Sequence, residues 1–192
     1  MKKYFSTAIT FLALIVMPAV SSAQNADLEE NRAVAMQLMQ QLAAELKKEM
    51  TANGSVAAIA VCQKLAPYLA QQISLDKGWR VTRVSLKVRN PLLGAPDVWE
   101  QSALQEFDTR AAAGEALDKM ERSETVTEPN GRYFRYLKAL PTQPLCLACH
   151  GSSEQIPDAV KETLKVKYPH DQATGYALGQ VRGAISIKRL MP

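Results

Sequence analysis

CLACHG, residues 146–151, lies mid-to-late in the chain between segments that read as strands, and that placement decides the fold. Two cysteines two residues apart with a histidine directly after them can hold a haem, grip a zinc ion or close a redox disulfide. Small all-helical cytochromes usually carry such a motif near the start of the chain, and cytochrome-c′-type bundles carry it close to the end. Neither helical architecture fits a motif flanked by strands.

Working outward from the motif, Thr125 to Thr127 and Tyr133 to Leu137 flank Glu128-Pro129-Asn130-Gly131, a turn tetrapeptide that predicts a hairpin. Pro141 and Pro144 then deliver the chain to Cys146. After the motif come an amphipathic segment near Asp158 to Lys167, a loop with Gly175 and Gly179, and a last strand from Gly183 to Lys188. Upstream, Val84, Leu86 and Val88 alternate with Ser85, Lys87 and Arg89, which predicts a strand with one wet face ending at Asn90-Pro91. A short helix over Val98 to Phe107 follows, with Asp97 as its cap.

The amino-terminal half is helical. From Asp27, DLEENRAVAMQLMQQLAAELKKEM has a capping acid, acids in the first turn and lysines in the last, and Asn53-Gly54 stops it. In the next helix Ile59, Cys62, Ala66, Leu69 and Ile73 share a face, and Pro67 predicts a kink. The expected class is therefore α+β: an antiparallel sheet flanked by helices, with a long N-terminal helix.

The chain opens Met1-Lys2-Lys3, runs through an apolar stretch from Ala8 to Val20 and reaches Ser21-Ser22-Ala23. Basic start, apolar middle and small residues before a cut are the parts of a secretory signal, so cleavage after Ala23 and a periplasmic location are expected. The apolar run is shorter than the roughly 20 residues a bilayer span requires. Residues 24–192 form one domain, about 170 residues and enough for a sizeable core. Losing Lys2 and Lys3 halves the formal charge of +4, and the remaining charges are interleaved, which argues against a nucleic-acid partner and leaves no stable membrane span.

In an exported protein the three readings of the motif are unequal. A zinc site requires four ligands, and a second Cys-x-x-Cys or His pair is absent from the sequence. A redox disulfide belongs after a strand in a βαβ context. Cys-x-x-Cys-His is the attachment signature of c-type haem, so one covalently attached haem c is expected, with thioethers at Cys146 and Cys149 and His150 as the proximal ligand. That leaves Cys62 without a disulfide partner. By itself it reads as a small buried hydrophobe, with His170 or a methionine as rival distal ligands. Arg83 and Arg89 are candidate partners for the haem propionates, their plain alternative being a solvated strand face.

AIAVCQKLAP, RVSLKVRNPLLGAPDVWE, CLACHG and YPHDQATGYALGQVRGAIS, in that order, resemble the family of c-type haem PAS-like domains, long classed as a domain of unknown function. Its members occur alone behind signal peptides and as sensor modules of bacterial signalling proteins. The similarity runs from about Ala33 to Ile187, with Leu93 where the family usually has Asn. It implies a PAS-like fold and Cys62 as the distal ligand. Three functions are then open: a redox or diatomic-gas sensor acting through a signalling partner protein, a single-haem electron carrier with a redox partner, and a peroxidase-like enzyme. The enzyme would require a positioned acid–base group that the sequence does not display.

Overall fold

The computed structural model describes residues 20–192, with side chains from Asn25, so most of the expected export segment 1–23 lies outside the described residues. Among the described residues no helix is long and apolar enough to cross a membrane.

Helix α1 runs Val20–Ala60 and is interrupted at Gly54, whose φ of 80° and ψ of 178° break it where Asn53-Gly54 predicted a stop. A π turn, Val61–Leu65, joins it to α2, Ala66–Lys77. The cause is local. Pro67 stands in the first turn of α2 and has no N–H to continue an α ladder. The Ala66 N–H instead reaches back to the Val61 carbonyl, five residues away, so the expected kink takes the form of a π turn just before the proline. Gly78, at φ 68°, closes α2 with its N–H on the Ser74 carbonyl.

Strand β1 (Arg80–Val84) is followed by the single turn α3 (Pro91–Gly94) and by α4 (Val98–Ala112). Asp97 caps α4 in a full capping box with Glu100. Strands β2 (Glu121–Glu128) and β3 (Gly131–Pro141) form the hairpin around Pro129-Asn130, longer than the sequence suggested. A 3₁₀ turn (Pro144–Cys146), the one-turn helix α5 (Leu147–His150), α6 (Asp158–Lys167) and β4 (Val181–Leu190) complete the chain. The strands make one antiparallel sheet in the order β1-β4-β3-β2, an α+β, PAS-like architecture with a long N-terminal helix.

Each face of the sheet carries a core. Val34, Ala35 and Leu38 of α1, with Ala70 and Ile73 of α2, cover Val81, Phe134, Tyr136, Ile185 and Ile187. On the other face Ala103, Leu104 and Phe107 of α4 cover Val84, Leu137, Ala139 and Ala184. A third cluster, Ile59 with Ile156, Val160, Leu164 and Tyr168, ties the end of α1 to α6, and Cys149 packs against it. Burying each large apolar side chain in these clusters contributes about 1.5–3 kcal/mol.

One expectation fails. The strand read through Val88 ends at Val84, and of its expected wet face only Lys87 is exposed: Ser85 and Arg89 are buried. Both have partners that are remote in sequence. The Ser85 hydroxyl donates to the Arg182 carbonyl at 2.8 Å, and Arg89 pairs with Asp171.

Candidate functional site

The motif is delivered by two tight turns. Cys146 ends the 3₁₀ turn, and Cys149 and His150 lie in α5. Gly151 follows because a Cβ there would lie 2.6 Å from the Leu147 carbonyl. Cys62 is carried by the π turn, a helical irregularity that often accompanies function. All three cysteines are free and half-buried in the structure. Among the described residues no group of three or more His, Cys, Asp or Glu side chains could hold a metal ion.

The loop between α6 and β4 straps the motif down. Tyr176 N–H donates to the His150 carbonyl at 2.9 Å, and Gly175 N–H donates to the Gly151 carbonyl at 2.7 Å. Gln172 N–H ties the same loop to the Val88 carbonyl at 2.9 Å. Between these anchors the Ala173 carbonyl oxygen lies 2.6 Å from Nδ1 of His150. The imidazole also stands edge-on to Tyr176, ring centres 6.3 Å apart.

Arg89 holds this strap to the motif. Its Nε donates to Asp171 Oδ2 at 2.9 Å, and its Nη2 donates to the Cys149 carbonyl at 2.6 Å and the Ala173 carbonyl at 3.3 Å. Asp171 in turn accepts the Ala173 N–H at 2.8 Å. The pair is about nine-tenths buried, and a buried ion pair requires further hydrogen bonds to be favourable, which the Cys149 and Ala173 carbonyls and the Ala173 N–H supply here. Two of the three guanidinium nitrogens of Arg89, Nε and Nη2, are thus engaged with protein groups. Arg83 projects from β1, half-buried, and its charge reaches His150.

Electrostatics follow from burial. Burial holds the His150 imidazole well below its usual range, and Arg182, Arg89 and Arg83 push it further down, so the ring is neutral at pH 7. Burial pushes the Cys149 thiol up to about 11, against the pull of Arg89. Cys62 lies close enough to Cys149, Tyr168 and Arg182 to share their electrostatic surroundings, which sets its sulfur on the wall of the same site.

The structure thus gathers Cys62, Cys146, Cys149, His150, Arg83 and Arg89 into one region. It leaves the rival ligands elsewhere: His170 is exposed just after α6, Met120 is fully buried in the α4 core, and Met39 and Met191 pack on the α1 core. Sequence reasoning missed Asp171, Ala173 and Arg182. Nothing local marks Ala173, which acts through its backbone, but Arg182-Gly183 at the head of a strand carried a readable bulge signal.

Comparison with known proteins agrees with this picture. No curated protein matches the chain. Among solved structures, the crystal structure of the cyanobacterial heme-protein Tll0287 superposes with a TM-score of 0.67 at 26% identity, over 86% of this chain and 96% of that one. The Tll0287-like family description covers residues 21–189, which bears out the resemblance to c-type haem PAS-like domains. The chain belongs to the Tll0287-like family.

Proposed function

We propose that this protein is a periplasmic haem c protein with a redox-linked role, sensing redox state or a diatomic gas and passing the signal to a partner protein. The carrying observation is the 2.6 Å contact between His150 Nδ1 and the Ala173 carbonyl beside the two free cysteines of the motif. With its proton on Nδ1 donated to that carbonyl, the ring offers Nε2 as a bare, basic donor in a fixed orientation. The donor set fits haem c: two thiols and an imidazole in one tight turn, and a third thiol on the same wall.

When bound, haem would supply a one-electron Fe(III)/Fe(II) couple and an affinity for small gases. The chain's residues do the rest. Cys146 and Cys149 would provide the sulfurs for two thioethers, and His150 and Cys62 would offer a nitrogen and a sulfur to the iron. An anionic sulfur donor favours Fe(III), so coordination by Cys62 would change with redox state. The similarity to a heme-protein and the signal-like residues 1–23 support this reading.

A redox titration of the holoprotein with and without carbon monoxide tests it. Ready binding of the gas by the ferrous form, with a ferric form that resists added ligands, is expected of the sensor. A potential and spectrum indifferent to the gas would make the protein a single-haem electron carrier.

A further inference from the structure

Arg182 stands outside the β-ladder. Leu140 pairs with Gly183 and Pro141 with Val181, so β4 has one residue too many at this point and Arg182 has no partner opposite it. A bulge of this kind re-aims the side chain it carries. Gly183 makes it possible: its φ is +156°, and a Cβ there would lie 2.4 Å from the Val84 carbonyl.

The re-aimed guanidinium reaches Ser85 Oγ at 2.9 Å and His150 Nδ1 at 3.1 Å, and lies over the Tyr176 ring at 5.2 Å. None of these is an anion. Three guanidiniums, Arg83, Arg89 and Arg182, act on His150, and Asp171 is already paired with Arg89. Among the described residues neither Arg83 nor Arg182 has a carboxylate within ion-pair distance. Two positive charges on half-buried side chains are therefore left over beside the motif, and a charge partly withdrawn from water gains from a counter-ion.

The contact with His150 adds a second tension. One ring nitrogen cannot both donate to the Ala173 carbonyl and accept from the Arg182 Nε–H. Once Nε2 serves as a metal donor, the proton must stay on Nδ1, and Arg182 loses that acceptor. We propose that Arg182 is the carboxylate-binding residue of the haem site, turning from His150 Nδ1 to a haem propionate when haem is seated. The inference rests on the haem reading above. Arg182 takes precedence over Arg89 in that role, since Arg89 has committed its Nε and Nη2 to Asp171 and two backbone carbonyls and keeps only Nη1 unpartnered.

The test uses the full chain in its haem-free, reduced form, titrated with hemin and with hemin dimethyl ester. Wild type is expected to bind the free acid about tenfold tighter than the ester, the size of one charge-assisted contact. Arg182→Gln should abolish that ratio and leave ester binding unchanged, a pattern that a merely structural role would not give. Arg182→Lys, which keeps the charge and loses the fork, should lower the ratio part-way and carries the comparison if the glutamine variant does not fold. A wild-type ratio near one, or variants that keep the wild-type ratio, would overturn the assignment of Arg182 alone. A wild-type chain that binds neither porphyrin would overturn the haem reading with it.

Discussion

Nδ1 of His150 lies 2.6 Å from the carbonyl oxygen of Ala173, 23 residues further along the chain. The carbonyl is held there by Arg89 and Asp171, which grip the backbone on both sides of the contact. Removing one partner of a buried pair leaves the other charge uncompensated. Arg89→Ala should therefore lower stability by about 3–5 kcal/mol, read as a fall in the urea midpoint. The Arg89→Ala, Asp171→Ala double variant should lose less than the sum of the single losses. Additive losses would mean that the two residues do not act as a pair.

Under the proposed function the two motif thiols would hold the haem covalently. Expressed with its export signal and a cytochrome c maturation system, the protein should keep its haem through denaturing electrophoresis. Cys146→Ala combined with Cys149→Ala should release it. Haem that leaves the wild type in denaturant would remove the c-type assignment.

Cys62 separates sensor from carrier. If its thiolate binds Fe(III), the ferric protein should be low-spin, and Cys62→Ser should change that spectrum and raise the midpoint potential, because an anionic donor favouring Fe(III) is lost. A serine variant with the wild-type spectrum and potential would return Cys62 to a packing role beside the α6 cluster.

Acid should loosen the fold away from the Cys146–His150 motif first. Burial would raise Asp97, but Arg135, 2.6 Å away, and the Glu100 N–H outweigh it and hold its carboxyl below the usual 3.8. Glu121 is likewise held below 4.5 by Arg32 and Tyr136 despite burial. Carboxylates with depressed values contribute stability above their unfolded pKa and lose it as pH falls through the folded one. Stability should decline below about pH 4.5, and Asp97→Asn should flatten part of that decline in acid titrations followed by circular dichroism. An unchanged acid limb in the variant would assign the loss to other groups.

What could be read from the sequence was whatever is decided locally. The Asp97 cap, the Pro129-Asn130 hairpin and the helix over Asp158–Lys167 all depend on residues a few positions apart, and the structure has each of them. The motif was legible for the same reason, since its spacing is its chemistry. Ser85 and Arg89 were misread because alternation shows which side of a strand is polar, not whether distant partners will bury that side. Ser85 meets Arg182 97 residues away, and Arg89 meets Asp171 82 residues away. Pro67 announced a disturbance in the helix, but not that the helix would widen at Cys62.

That widening takes up one extra residue. A π turn closes over five residues where an α turn closes over four, so the stretch around Cys62 holds one residue more than a regular helix would need. Deleting Gln63 would restore regular winding and leave α2 seated much as it is, because the π turn fits its extra residue into nearly the same rotation that an α turn makes with one residue fewer. Ala70 and Ile73 would stay on the sheet, and the change would fall on Cys62, which the widening carries to the wall it shares with Cys149 and Arg182. The extra residue is therefore a local device that aims one sulfur without disturbing the seating of the helix that follows, and a related chain could lose it and keep the fold while losing the sulfur's place.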